Sequence, residues 1–321
     1  MFYKRSKEIL SLIKKSKNIL INTHRNPDYD SIASALALKK VLTELEKKSK
    51  IISCQKINPY FFFLKGTGDI KLIDYSQFDF STFDLFIIPD TGNSDRVTGS
   101  KTIRLPENIN YVVIDHHKTN EFSRYPKILD EKASATSEIL YRLFNDWGIK
   151  IDSGLATCLL AGIMGDSVFL RYSQDNKRTF GVVADLIKRG ADKDWIAENF
   201  YERYEYNGVK LLGEFLMRME TKNNFVWSAI PLEIFEKYGK PEGVKEMAAD
   251  SFFRGIKGYD FGVAMLEVKK GIINLSFRSK KNTDVTKYAK LFGGGGHKNA
   301  AGATVKGEFK KTVEEILSKI S

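Results

Sequence analysis

The chain has 321 residues, is 42% hydrophobic and 28% charged, and carries a formal net charge of +11. That balance excludes a disordered chain, since 22 Phe and 14 Tyr supply a core, and the length fits two domains of about 100–200 residues each. No run approaches the roughly 18–20 apolar residues of a spanning helix, and the N-terminal stretch lacks a signal-peptide block. Cys54 and Cys158 stand far apart, so we expect no membrane, no disulfide framework and a reducing cytoplasm.

The elements alternate along the chain. A helical period over residues 4–16 leads into the apolar run NILINTH (18–24), read as a buried strand. Asp30-Ser31 opens the helical stretch SIASALALKKVLTELEKK, and KIISC (50–54) is a second strand. LFIIPD (85–90) and YVVID (111–115) are apolar runs that end in a carboxylate. Helical patterns cover 135–147, 152–164 and 177–190, which predicts an α/β domain with a mostly parallel sheet flanked by helices. Residues 192–220 look helical, and FVWSAIP, FGVAMLEV and IINLSFR from residue 225 onward read as strands of a second, smaller α+β domain. The expected organisation is a catalytic domain over 1–205, a helical linker over 206–220 and a second domain over 221–321, with the active-site cleft between them.

The basic charge favours polyanionic partners. Lysine pairs such as Lys14–Lys15 and Lys310–Lys311 fall on helix-like stretches, however, and read first as solvated faces. The histidines are more informative. All four, His24, His116, His117 and His297, sit beside carboxylates or glycines.

His24, Asp28 and Asp30 leave one strand end across a proline turn. Either aspartate could cap the following helix, but capping does not account for both together with His24. Asp90 ends LFIIPD, Asp115-His116-His117 ends YVVID, and Asp166 follows LLAGIMG. In open α/β sheets ligands bind beyond the carboxyl ends of the strands. So many carboxylates repel one another unless cations lie among them. Carboxylates with imidazoles suit divalent ions such as Mn²⁺ or Mg²⁺, and a pair of such ions suits phosphoryl chemistry. Arg278, ending a strand beside Ser279, could grip a further phosphate. The glycines 293–296 before His297 allow backbone N–H groups to approach an anion. The small residues Ala300-Ala301-Gly302 fit a closely packed helix or a tight phosphate pocket.

Taken together, His24-x3-Asp28-x-Asp30, Asp90, Asp115-His116-His117 and Asp166 resemble the DHH phosphoesterase superfamily. Phe292-Gly-Gly-Gly-Gly-His297-x2-Ala-Ala-Gly302 is similar to its DHHA1 substrate domain. The resemblance spans nearly the whole chain in order, and the layout is similar to the nanoRNase/pAp-phosphatase branch. It implies two divalent cations, Mn²⁺ first with Mg²⁺ or Co²⁺ as substitutes. His24, Asp28 and Asp90 would hold one, and Asp30, Asp90, His116 and Asp166 the other.

By the same resemblance His117, with Asp115 and His116, forms the catalytic group, and Arg278, Ser279, Gly294, Gly295, Gly296 and His297 bind substrate. The implied substrates are short single-stranded RNA or DNA oligonucleotides, linear dinucleotides or 3′-phosphoadenosine 5′-phosphate (pAp). A homodimer is left open. The competing expectations are a cyclic- or linear-dinucleotide phosphodiesterase of the same superfamily and a non-catalytic nucleotide- or RNA-binding module. One departure is visible: Tyr29 stands where the family usually has glycine, and could narrow the cleft or stack on a base.

Overall fold

The structure is a computed structural model that describes residues 2–118, 121–171, 175–201, 205–280 and 283–320, without the side chain of His297. The chain divides into two compact units, Met1–Glu202 and Arg203–Ser321. Among the described residues no helix is long and apolar enough to cross a membrane, and Cys54 and Cys158 are both free thiols.

The first unit runs α1 (Ser6–Lys15), β1 (Asn18–Thr23), α2 (Tyr29–Glu44), β2 (Lys48–Ser53), β3 (Lys71–Leu72), β4 (Leu85–Pro89), α3 (Ser94–Thr98), β5 (Asn110–Asp115), β6 (Lys127–Leu129), α4 (Thr136–Asp146), α5 (Ser153–Asp166), α6 (Asn176–Lys188) and α7 (Lys193–Tyr201). Its sheet has the order β3-β2-β1-β4-β5-β6, and every pairing is parallel. Such a sheet needs both faces covered, which explains why its central strands read as unbroken apolar runs. Ile19, Ile21, Ile87, Val112 and Ile114 enter the core beneath α2, α4 and α5. Leu20, Phe86, Ile88, Tyr111 and Val113 fill a second core on the opposite face. The strand order reverses at β1 and β4, so the loops after these two strands diverge and leave a crevice at their carboxyl ends.

The second unit contains α8 (Tyr206–Met217), β7 (Glu220–Lys222), β8 (Phe225–Ile230), α9 (Leu232–Lys237), α10 (Val244–Met247), β9 (Phe261–Lys269), β10 (Ile272–Ser279), α11 (Thr286–Lys290), β11 (Gly295–His297), β12 (Ala300–Lys306) and α12 (Phe309–Lys319). Its sheet has the order β11-β12-β10-β9-β8-β7, antiparallel except for β8 beside β9. The helical segment expected as a linker is α8. Its Leu211 and Phe215 are fully buried in a core with Val226, Phe253 and Leu266, so α8 belongs to the second unit's interior.

The short strands β3, β6, β7 and β11, and the seven-residue β12, escaped the sequence reading. Ala300-Ala301-Gly302 begins a strand rather than a helix. The reason is backbone proximity. A Cβ on Gly294 would lie 2.1 Å from Gly302 O, and one on Gly296 would lie 2.4 Å from Ala300 O. Gly296 also has φ 148°, a conformation side chains resist, while nothing stands within 4 Å of a Cβ on Gly295. Gly296→Ala should therefore cost the folded protein about 2 kcal/mol or more by overpacking. Gly295→Ala should leave the urea midpoint nearly unchanged. Urea titration of both variants checks the contrast.

Candidate metal centre and active site

The strand ends at the switch point carry the polar residues. His24 follows β1, Asp90 follows β4, and Asp115-His116-His117 closes β5. Asp166 comes from a helix instead, as the last residue of α5, which corrects the picture of a purely strand-terminal cluster. Asp28 is the N-cap of α2, accepting from the Ser31 N–H at 3.0 Å.

Asp90 is the centre. It is 1% exposed and adopts φ 61°, a left-handed conformation that costs a non-glycine residue energy and is found preferentially at functional sites. Its two oxygens face different imidazoles: Oδ2 lies 3.2 Å from His24 Nε2, and Oδ1 lies 3.6 Å from His116 Nε2. A further carboxylate stands beside each imidazole, Asp28 Oδ2 at 3.6 Å from His24 Nε2 and Asp166 Oδ2 at 3.4 Å from His116 Nε2.

The ring tautomers follow from their other contacts. His24 Nδ1 meets Arg25 O at 3.0 Å, and His116 Nδ1 meets Ala133 O at 3.3 Å. A carbonyl oxygen only accepts, so both Nδ1 atoms carry the proton, which leaves Nε2 as the atom each neutral ring would offer a metal. Both Nε2 atoms face carboxylate oxygens, an arrangement that a cation between them would satisfy.

His116 Nε2 and Asp115 Oδ2 are buried without a hydrogen-bond partner, as unfilled ligand atoms would be. Ligand atoms of His24, Asp28 and Asp90, and of Asp90, His116 and His117, gather within 4.8 Å of one another. The donor set is carboxylate and imidazole, which fits divalent cations such as Mn²⁺.

The remaining predicted residues divide. His117 Nδ1 donates to Asp115 Oδ1 at 2.7 Å, and the His117 N–H donates to the same oxygen at 3.1 Å. That carboxylate fixes the ring and leaves Nε2 available. Asp30 is fully buried and already occupied. Its Oδ2 accepts the Thr136 N–H at 2.6 Å, and its Oδ1 accepts the Ser137 N–H at 2.9 Å and the Ser137 hydroxyl at 2.6 Å. Asp30 thus holds the N-terminus of α4, a favourable place for negative charge.

Tyr29 is not free to stack on a base. Its ring lies 3.8 Å from that of Phe200 and 4.9 Å, edge-on, from that of Phe61. Its Cβ occupies the place a side chain on Gly165 would need.

In the second unit, Arg278, Gly294 and Gly295 line a cavity of about 580 Å³ with Lys245 and Ser276. Ser279 is not on it. Successive strand residues face opposite ways, and Ser279 is buried, its hydroxyl donating to Thr283 O at 2.6 Å. Gly296 packs against Ala300 and Ala301 instead, and the His297 side chain lies outside the described residues.

Sequence reasoning missed Lys245, on the four-residue α10, and Arg96, on the five-residue α3. Arg96 brings a guanidinium Nη2 to 3.0 Å from His24 Nε2. No periodicity marks either one.

The electrostatics are dominated by crowding. Burial, then the charges of Asp30, Asp28, Asp166 and Asp115, push the Asp90 carboxyl well above its ordinary range. Burial and the charges of Asp28 and Asp30 raise Asp166 likewise, against the pull of His117 and His24. Asp28, whose side chain is half exposed, moves the other way: desolvation by its crowded neighbours opposes ionisation, but His24, the Ser31 N–H and Arg96 outweigh it and hold the carboxyl low.

A doubly wound sheet with carboxylates and imidazoles at its switch point presents a donor set that fits divalent cations. The chain belongs to the DHH family: residues 18–163 match the DHH family N-terminal domain and residues 224–321 the DHHA1 domain. It is 26% identical to the Bacillus subtilis bifunctional oligoribonuclease and PAP phosphatase NrnA, over 93% of this chain and 92% of that protein. It is also 26% identical to the Mycoplasma genitalium protein MG371, over 94% and 91%. The crystal structure of an exopolyphosphatase-related protein from Bacteroides fragilis superposes with a TM-score of 0.88 at 25% identity, covering 98% of this chain and 96% of that one.

Two outcomes are expected. Asp30→Ala strands two buried N–H groups and should cost about 3 kcal/mol or more, whereas Asp28→Ala removes one cap and should cost about 1 kcal/mol or less. Urea unfolding in chelator measures both.

The second concerns pH. Asp90 and Asp166 have raised folded-state pKa values, so their contribution to stability is intact below the ordinary carboxylate range and is lost as pH rises through the folded values. A bound cation replaces those protons. The gain in Tm on adding Mn²⁺ should therefore grow from pH 5 to pH 8 in thermal melts, and a gain that shrinks over that range would contradict the assignment.

Proposed function

We propose that this protein is a dinuclear, Mn²⁺-dependent enzyme acting on very short nucleotides. It converts oligoribonucleotides of a few residues and linear dinucleotides to mononucleotides, and pAp to AMP. The observation that carries the reading is Asp90, with each oxygen turned to a different imidazole Nε2 and a further carboxylate beside each. That is the donor pattern of two cation positions sharing one carboxylate.

His24, Asp28 and Asp90 would hold one cation. Asp90, His116 and Asp166 would hold the other, with Asp30 behind them. When bound, such a pair lowers the pKa of a water toward neutrality and neutralises charge on the attacked phosphate.

The chain's own residues do the rest. Asp115 fixes the His117 ring so that its Nε2 contacts the scissile phosphate or its leaving group. Arg278, with Gly294 and Gly295, offers the second unit's anion site. The name of the Bacillus subtilis relative supports this substrate class, and its match extends along nearly the full length of both chains.

The test supplies Mn²⁺ with pAp, a 5′-phosphorylated dinucleotide, a cyclic dinucleotide and a long oligonucleotide. Release of mononucleotide from the first two, little turnover of the others and loss of activity in chelator are expected. His116→Ala should lower kcat by about 10²–10⁴-fold while nucleotide binding persists. Full activity in excess chelator would overturn the reading, and preference for the cyclic dinucleotide would move the substrate assignment.

A further inference from the structure

We propose that Arg96 is the first unit's own phosphate-gripping cation, a substrate contact made beside the metal ligands; the inference rests on the function proposed above. Arg96 Nη2 lies 3.1 Å from His24 Nδ1 and 3.0 Å from His24 Nε2. Near-equal distances to both ring nitrogens place Nη2 over the face of the imidazole, off the in-plane lone pair of Nε2 that a cation would take. The guanidinium donors therefore lack a well-aimed acceptor on His24, and Asp28, which feels the charge of Arg96, makes no ion pair with it within 4 Å. An anion at the metal centre is the partner within reach.

Two further facts agree. First, the backbone of Arg96 is pinned where this requires. Its N–H donates to Asn93 Oδ1 at 3.0 Å, and its carbonyl accepts the Arg25 N–H at 2.6 Å. Arg25 is the residue directly after the metal ligand His24, so the fork and the ligand are held to one another by main chain.

Second, the charge count leaves a place for it. Asp28, Asp30, Asp90, Asp115 and Asp166 lie within electrostatic reach of one another. Five carboxylates against two divalent cations leave one negative charge, unfavourable for an arriving phosphate. Arg96 brings the sum to zero. A planar guanidinium offers several donors in the geometry phosphate oxygens accept, which a lysine ammonium does not reproduce.

The probe is inorganic phosphate, titrated calorimetrically into the Mn²⁺-loaded full-length protein. Mn²⁺ affinity and Tm are measured separately on each variant. In Arg96→Gln, phosphate affinity should fall about tenfold to hundredfold, while Mn²⁺ affinity stays within about threefold and Tm is unchanged. Arg96→Lys, which keeps the charge and loses the fork, should fall between the two and guards against a misfolded glutamine variant.

Unchanged phosphate affinity in Arg96→Gln, or a loss of Mn²⁺ affinity as large as the loss of phosphate affinity, would overturn the assignment of Arg96 alone. A wild-type protein that binds neither Mn²⁺ nor phosphate would instead remove the hydrolase reading, and this inference with it.

Discussion

Buried negative charge around Asp90 is the constraint on which the first unit is built. Carboxylates that would each be hydrated on a surface are packed here at the end of a parallel sheet, with Asp30, Asp90 and Asp115 shut off from water. Helix α4 and its hydroxyls satisfy part of this charge, while His116 Nε2 and Asp115 Oδ2 are left without a hydrogen-bond partner. Nδ1–H groups on His24 and His116 are spent on backbone carbonyls, which aims their Nε2 atoms inward. The left-handed backbone at Asp90 is sustained in the same economy, since turning this residue out would remove the group both imidazoles face.

Helix α4 is the second element of that arrangement. Its N-terminal N–H groups have no partner within the helix, and Asp30 supplies one from α2 across the core. Asp90 gains too, because the Thr136 hydroxyl donates to its Oδ1 at 3.2 Å. A helix end thereby absorbs part of the charge that crowding creates, and one pair of helices fixes both the fold and the centre. Tyr29 shows how closely the site is tied to packing: it sits between two site aspartates in sequence, yet its ring closes against Phe200 and Phe61 and its neighbour in space must be Gly165.

The second unit solves a different problem. Its glycine run lets β11 lie against β12 with atoms closer than any side chain permits, and Gly293, Gly294 and Gly295 of that run border the cavity beside Arg278. Close packing and anion access therefore draw on one residue type for two reasons. Gly296 serves the first, and Gly295, with open space around it, is left for the second.

The α/β alternation and the four central strands of the first sheet were legible in the sequence, as were the histidines and aspartates that end three of those strands. Apolar runs long enough to cross a sheet, three of them stopping at a histidine or an aspartate, carry that information locally. Three things were decided only by tertiary structure. Asp30 and Asp28 look equivalent in sequence, but only the arrival of α4 over Asp30 turns one into a buried anchor while the other remains a helix cap. Arg96 carries no periodic signal, because its role depends on a loop from the neighbouring strand reaching His24. Ala300-Ala301-Gly302 reads as a closely packed helix or a tight phosphate pocket, and its place in a strand was decided by Gly294 and Gly296 lying alongside. Each of these depends on which distant backbone comes near, and a residue's own neighbours in the chain do not encode that.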